Sequence, residues 1–228
     1  MIGLGTLANT GAILIGGALG SFVIPQVPER VRQTTMQALG LGVFLIGLQM
    51  AWTTQELLLV LVGLALGAVA GELIQIEAVL ERWAGAVEKL PKFSGAGTAA
   101  AFVQTTLLYC IGAMAITGSL QDGLQGNPTT LYAKAILDGV SAIMFASVLG
   151  PGVILSAIPV LLYQGGLTLG ASLLTTILSP AIIREVSAAG GLMVMAIGLN
   201  VLGLIKIRVG NLIPALLFVG LLVAFLGH

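Results

Sequence analysis

The chain has 228 residues, of which 57% are hydrophobic and 8% are charged, and nine basic side chains balance nine acidic ones. A soluble domain carries about 25% charged residues, so this composition excludes a soluble protein and indicates that lipid is the solvent. The balanced charge and the lack of a basic face exclude nucleic acid as a partner.

Apolar segments follow one another along the whole chain, separated by turn-forming residues such as Gly150–Pro151–Gly152 and Ser179–Pro180. A membrane-spanning helix needs roughly 20 mostly apolar residues. Segments of this kind occupy residues 3–24, 36–53, 56–75, 98–120, 131–149, 151–176, 183–205 and 209–226. We therefore predict an all-α fold, a polytopic transmembrane helix bundle of seven to eight spans, in which residues 1–228 form a single transmembrane domain.

The fifth segment is less apolar than the others, because it carries Lys134 and Asp138. A short or re-entrant element there would leave seven full spans. The sequence leaves open whether residues 131–176 form two spans or include a re-entrant element. No positively charged residue precedes the first segment, as one would in a signal peptide, so we expect the protein to retain it as a helix.

Residues 72–92 differ from the apolar segments, because they mix charged and apolar side chains. This pattern predicts that the third helix continues into an amphipathic segment at the membrane surface. We favour a solvated helix end anchored by Trp83, and a partner-binding surface is the alternative.

Basic residues are distributed unevenly between the two sides of the predicted bundle. The positive-inside rule then places both termini outside the cytoplasm. The larger group is Arg30, Arg32, Arg82, Lys89, Lys92, Lys206 and Arg208, and the smaller group is Lys134 and Arg184.

Two stretches of the chain resemble each other. Residues 31–50 align without gaps to residues 182–201, and each stretch has a carboxamide, Gln49 or Asn200, after Ile-Gly-Leu. A glycine-rich helix precedes each stretch, and one further span follows it. The alternative is that glycine-rich apolar helices resemble each other by composition alone.

A candidate inverted three-helix repeat follows from this similarity. Its units are residues 1–90 and 151–228, and linking helices occupy residues 98–149. Matching helices are five spans apart, so the two copies would face opposite ways in the bilayer. Many secondary transporters are built in this way and bind their substrate at the repeat interface.

Glycines spaced by four residues recur on several predicted helices, and such faces let helix backbones approach closely. We expect packing within the bundle, and a homodimer interface is the alternative. These glycines are Gly16 and Gly20 on the first helix, Gly63, Gly67 and Gly71 on the third, and Gly166 and Gly170 on the sixth.

The strongest polar pattern lies in the fifth segment, where Lys134, Asp138 and Ser141 fall on one stripe of a helix. Ionisable groups inside a membrane are costly and therefore indicate a functional site. We predict that Asp138 binds a cation or proton, and that it pairs with Lys134 otherwise. The alternative is a structural ion pair with Lys134 extended towards the membrane interface.

Four further residues complete the candidate substrate- or ion-binding set: Gln49, Asn200, Gln164 and Asp122. A repeat interface would bring Gln49 and Asn200 towards its centre. The glycines at 165–166 would let the helix unwind after Gln164 and expose backbone carbonyls. For Asp122 we favour a turn or capping role.

The residue inventory gives little support to enzyme chemistry. Cys110 is the only cysteine and His228 is the only histidine, which argues against a disulfide, a cysteine metal cluster and histidine-based catalysis. Ser141 and Lys134 are roughly 10 Å apart along one helix, too far for direct proton transfer. Nucleotide-binding and zinc-protease motifs are absent from the sequence. We therefore expect no enzyme activity, no catalytic residue, no metal site and no cofactor.

Longer motifs include GTLANTGAILIGGALG at 5–20, the Gly-Glu-x-x-x-Ile-Glu element at 71–77, LLYCIGAMAITGSLQDGL at 107–124 and the stretch at 131–165. Through these motifs nearly the whole chain resembles the YdfK/YqgA-like family of bacterial membrane proteins, a domain of unknown function. The resemblance implies a multi-pass protein of the bacterial inner membrane, and it supplies no substrate or mechanism.

The sequence favours a secondary transporter or channel-like permease for an ion or small solute, with the lipid bilayer and that ion or solute as its partners. The candidate repeat and Asp138 in its apolar setting motivate this hypothesis. The alternative is a non-transporting membrane scaffold or regulatory protein that acts through the amphipathic segment at 72–92.

Overall fold

The computed structural model describes residues 2–23, 28–79, 82, 98–175 and 177–227, with all their side chains except those of Glu29 and Arg32. Its helices are α1 (Leu4–Ala18), α2 (Glu29–Ala51), α3 (Leu57–Ile74), α4 (Thr98–Cys110), α5 (Ala113–Gln125), α6 (Thr129–Leu149), α7 (Gly152–Leu155), α8 (Ala157–Leu169), α9 (Ala171–Leu174), α10 (Pro180–Val201) and α11 (Pro214–Leu226). A π-helical stretch, Leu19–Val23, extends α1, and a 3-10 turn, Val209–Leu212, precedes α11.

The all-α prediction is confirmed, because these described ranges contain helices and no strand. Within them, seven helices are long and apolar enough to cross a membrane, or up to eight if a bent pair counts as one span. The helices follow the predicted segments closely, since the thickness of the hydrocarbon layer sets the length of every apolar run. Local signals also act as predicted: the Ser179 side chain accepts a hydrogen bond from the Ile182 N–H, and Pro180 opens α10.

The helix interruption lies in the fourth segment, whereas the sequence analysis considered a short or re-entrant element in the fifth. The fifth segment forms α6, one continuous helix of 21 residues that ends at Gly150, where φ is +86°. In the fourth segment, α4 and α5 meet at an angle of 58° at Ile111–Gly112. The sixth segment also differs from its prediction, because the chain stays helical through Gly165–Gly166 and breaks at Ser156 and Gly170.

The chain divides into two compact units. Unit 1 comprises Met1–Thr35 and Glu81–Ile177, and unit 2 comprises Met36–Leu80 and Leu178–His228. Each predicted repeat copy contributes its first helix to unit 1, and most of its second helix and all of its third to unit 2. The repeat and the single transmembrane domain stay predictions.

In unit 1, α1 and α6 run parallel and in close contact. Gly16 faces the carbonyl oxygen of Gly139, and Gly20 faces that of Ile143, so a side chain at either glycine would collide with the backbone of α6. The bent pair α4–α5 passes the length and composition test of a membrane span only when its two helices are taken together, as a broken span or a re-entrant loop.

The matching glycines of the sixth segment make no such contact. Leaving its own helix aside, no described atom lies within 4 Å of a Cβ placed at Gly166, and a Cβ at Gly170 would meet only Gly166 and Leu174. The similarity of the two glycine pairs therefore does not extend to their packing.

In unit 2, α2 and α10 run antiparallel and contact each other through four glycines. A Cβ at Gly40 would lie 3.2 Å from the oxygen of Gly198, and a Cβ at Gly47 would lie 2.6 Å from the oxygen of Gly191. In the alignment of the two similar stretches, Gly40 corresponds to Gly191 and Gly47 to Gly198. The contacts are therefore reciprocal, as a two-fold axis between antiparallel copies requires.

The glycines of α3 lie on one face and pack against α11 of the same unit. Gly67 faces the backbone of Ala215, and Gly71 faces that of Asn211, again in antiparallel order. The expectation that these glycines serve packing within the chain is confirmed.

Candidate functional site

An ion pair lies inside unit 1, one helical turn apart on α6. The ammonium group of Lys134 is 2.5 Å from Oδ2 of Asp138, and the two side chains are only 8% and 10% exposed. The predicted common face of Lys134 and Asp138 is confirmed. The Lys134 side chain is buried and turns along α6 towards Asp138.

Two carboxamides from other helices complete a cluster around this pair. Asn9 of α1 donates through Nδ2 to Asp138 Oδ2 at 3.0 Å, and to Oε1 of Gln164 on α8 at 3.3 Å. Asn9 and Gln164 are both fully buried. The structure thus brings together three helices at four side chains, which we call the polar cluster: Asn9, Lys134, Asp138 and Gln164.

The polar cluster contains atoms whose hydrogen-bonding capacity is unused. Within the described part of the chain, Asn9 Oδ1 and Gln164 Nε2 are buried and have no hydrogen-bond partner. Such orphaned groups are rare in folded proteins, because each forfeits its hydrogen bonds to water. One is an acceptor and the other is a donor, so the cluster can serve a ligand that offers both.

The break in the fourth span lies beside the polar cluster. The hydroxyl of Ser141 donates to the Asp138 carbonyl oxygen at 2.9 Å, and the Tyr109 hydroxyl lies 3.4 Å from the Ser141 hydroxyl. Tyr109 and Cys110 lie in the last turn of α4. Ser141 therefore connects α6 to α4 and does not bind the Asp138 carboxylate.

Asp122 acts as a remote helix cap. Its Oδ2 accepts hydrogen bonds from the backbone N–H groups of Gly3, at 3.1 Å, and Gly5, at 3.2 Å, and the residue is fully buried. A carboxylate at the positive end of α1 is electrostatically favourable. The hydroxyls of Thr6 and Thr168, 3.4 Å apart, lie between this cap and Asn9 along α1.

Gln49 and Asn200 are not brought together. They belong to unit 2, where Gln49 is exposed and both ends of the Asn200 carboxamide bind the Ile207 backbone at 2.8 Å. The antiparallel helices cross near the midpoint of their glycine contacts, and each carboxamide lies about five residues beyond it in opposite directions. At 1.5 Å per residue this separates them by about 16 Å along the helices. Their role in lining a path stays a prediction.

A second buried carboxylate lies in unit 2, and the sequence analysis did not single it out. Glu185 forms an ion pair with Arg184 at 2.8 Å and is fully buried. It accepts hydrogen bonds from the Thr54 hydroxyl at 2.5 Å and the Gln55 N–H at 3.0 Å, immediately before α3. Like Asp122, it caps a helix remote in sequence.

The described part of the amphipathic segment binds its own chain. Glu72 contacts Arg208 and Asn211, and Glu77 accepts a hydrogen bond from the Gly210 N–H at 2.9 Å. Most of the remaining segment, including Trp83, lies outside the described residues. The described residues of this segment therefore give no support to the hypothesis of a scaffold or regulatory protein that acts through residues 72–92.

The described residues offer no group of three or more His, Cys, Asp or Glu side chains that could hold a metal ion. The polar cluster itself has one carboxylate, Asp138, and its other oxygens belong to carboxamides. Such a set is poor in the negative charge that divalent cations favour.

Comparison with known proteins identifies the family. The family model described as "Protein of unknown function (DUF554)" matches residues 4–224. The chain is 32% identical over 219 residues to "Uncharacterized protein YqgA" of Escherichia coli (strain K12), covering 94% of this chain and 93% of that protein. It is 30% identical over 219 residues to "Uncharacterized membrane protein YdfK" of Bacillus subtilis (strain 168), covering 93% and 92%.

No solved structure is significantly similar to the chain. The predicted resemblance to the YdfK/YqgA-like proteins is confirmed, and the name of one relative together with the apolar helices supports a membrane location. The chain belongs to the DUF554 family.

Proposed function

We propose that the protein is a secondary transporter or channel-like permease for an ion or small solute, multi-pass in the bacterial inner membrane. The observation that carries the proposal is the polar cluster, buried among apolar helices. A buried ion pair is weak evidence for stability, because well-packed apolar residues in its place are often as good or better. Ionisable groups at such depth are better explained by a ligand or an ion pathway.

The helix break supports the same proposal. Secondary transporters commonly bind substrate where a membrane helix is interrupted, because the ends of the two half-helices carry unpaired backbone groups and partial charges. In this protein the interruption follows Tyr109 and Cys110, and the Tyr109 hydroxyl lies 3.4 Å from the hydroxyl of Ser141, three residues from Asp138 on α6. Charged pair, carboxamides and helix break thus occur together in unit 1.

The reciprocal glycine contacts of unit 2 are a further support. They are the pattern expected of antiparallel helices from an inverted repeat, the architecture on which many secondary transporters are built. The repeat itself remains part of the proposal.

Flux through reconstituted protein tests the proposal. Osmotic swelling of proteoliposomes measures small polar solutes, and currents on a solid-supported membrane measure alkali cations and protons. We expect at least one probe to cross faster than in protein-free vesicles, and Asp138→Asn to return that rate to the protein-free level. Glu72→Gln is the matched control, since it makes the same carboxylate-to-amide change in an ion pair whose side chains are 54% and 65% exposed.

Two outcomes contradict the proposal. Wild-type flux in Asp138→Asn would show that the polar cluster is not part of the transport pathway. Equal flux with and without protein would show that the protein is not a permease for the probes used. If Asp138→Asn does not fold, the double variant Lys134→Met/Asp138→Asn, which leaves no bare charge, takes its place.

A further inference from the structure

The polar cluster is electrically neutral as a whole. Lys134 and Asp138 contribute one charge of each sign, and Asn9 and Gln164 are uncharged. The other acidic group near α1 in this unit is Asp122, which accepts hydrogen bonds from the Gly3 and Gly5 N–H groups through Oδ2, while its Oδ1 is buried without a partner in the described part of the chain. A ligand with net charge would leave one charge uncompensated in a buried site, which is strongly unfavourable. Neutrality of the site therefore selects a ligand that is neutral overall.

The unused hydrogen-bonding atoms specify the ligand further. Asn9 Oδ1 needs a donor and Gln164 Nε2 needs an acceptor. A simple cation would satisfy only the first atom, and a simple anion only the second. If both carboxamides turn over, Asn9 presents the donor and Gln164 the acceptor, so the complement stays the same. The ligand must carry at least one donor and one acceptor.

The helix break adds a third pair of opposite poles. The C-terminal end of α4 at Cys110 carries partial negative charge, and the N-terminal end of α5 at Ala113 carries partial positive charge. An ammonium group is favoured at the first end and a carboxylate at the second. The ion pair, the two unpartnered carboxamide atoms and the two helix ends at the break therefore each offer one group that favours a cationic or donor group and one that favours an anionic or acceptor group.

We propose that the ligand is a small zwitterion with one ammonium and one carboxylate group, of which amino acids with uncharged side chains are the simplest members. This inference rests on the proposed function and names its substrate class. The ammonium binds Asp138 and one carboxamide oxygen, and the carboxylate binds Lys134 and one carboxamide N–H. One internal ion pair is exchanged for two ion pairs with the ligand, so no bare charge arises.

Thermal unfolding of the purified full-length protein tests the inference. The probe is a mixture of amino acids with uncharged side chains, and the comparison ligands are its two halves, methylammonium chloride and sodium acetate, at equal ionic strength. We expect the mixture to raise Tm in a saturable manner and the halves to leave it unchanged. Lys134→Met and Asp138→Asn should each weaken the apparent affinity at least about ten-fold, since each removes a charged partner, and Glu72→Gln should not.

The outcomes separate this inference from the proposed function. An equal rise of Tm with methylammonium or sodium alone would show a plain cation site and overturn the zwitterion, as would no rise with the mixture. Either result leaves a permease for ions intact. Saturable binding of the mixture without any flux would support the site and contradict the permease.

Discussion

Neutralising one member of the Lys134–Asp138 pair should destabilise the protein far more than neutralising both. The two side chains are 8% and 10% exposed and their charged atoms are 2.5 Å apart, so the pair is in the buried regime. There, removing one partner costs about 3–5 kcal/mol, because the remaining charge is left without water or counter-charge. The exposed pair of Arg208 and Glu72 should contribute at most about 1 kcal/mol.

A double-mutant cycle measures this effect. Lys134→Met and Asp138→Asn should each lower the free energy of unfolding by about 3 kcal/mol or more. The double variant has no bare charge and should lose no more than about 2 kcal/mol, whereas the two single losses sum to about 6 kcal/mol or more, which gives a coupling of at least about 4 kcal/mol. Unfolding by sodium dodecyl sulfate in mixed micelles, followed by tryptophan fluorescence, supplies the free energies.

Additive losses of less than about 1 kcal/mol for each single variant would refute the reasoning. They would mean that the charges of Lys134 and Asp138 are solvated in the membrane protein. A ligand with net charge would then be as acceptable as a neutral one, because bulk water around the pair would compensate its charge.

Three further predictions concern packing, capping and topology. Gly47→Ala should destabilise by about 1–3 kcal/mol because its Cβ meets the α10 backbone, whereas Gly42→Ala, with no neighbour within 4 Å, should be neutral or stabilising; denaturant titration compares them. Asp122→Asn should cost about 1 kcal/mol by removing the charge at the start of α1, measured in the same titration at low and high salt. In a cysteine-free background, Gln125→Cys and Ser147→Cys should react with impermeant thiol reagents from opposite sides, and labelling from one side would contradict a spanning α6.

The spans could be predicted because they depend on local composition. Hydrocarbon thickness fixes their length, and the structure follows it. The break at Ile111–Gly112 has no such signal, since mostly apolar residues flank it on both sides and a single glycine is common inside the spans of this chain. Lys134 and Asp138 lower the hydropathy of α6, and this is why the sequence analysis considered a short or re-entrant element in that segment. The interruption lies in the fourth segment instead.

The candidate site could be predicted only where its contacts are local. The pairing of Lys134 with Asp138 follows from their spacing by four. The place of Asn9 depends on partners 129 and 155 residues away, so its carboxamide was indistinguishable from the others in the sequence. The same holds for Asp122 and Glu185, whose capped helices are more than 100 residues distant.

The separation of Gln49 and Asn200 follows from the order of the glycine contacts in unit 2. Gly40 contacts Gly198 and Gly47 contacts Gly191, so α2 and α10 run antiparallel. Both carboxamides lie beyond these glycines towards the C-terminal ends of their helices, and equivalent positions beyond the crossing of antiparallel helices lie on opposite sides of it. Their role in lining a path stays a prediction.

The most direct test of the central claim is transport by the neutral double variant Lys134→Met/Asp138→Asn in proteoliposomes. The claim is that the polar cluster binds the transported ligand and does not serve to stabilise the fold. It predicts a folded protein that loses no more than about 2 kcal/mol of stability and whose flux equals that of protein-free vesicles, beside an unchanged Glu72→Gln control. Wild-type flux in the double variant would contradict the claim.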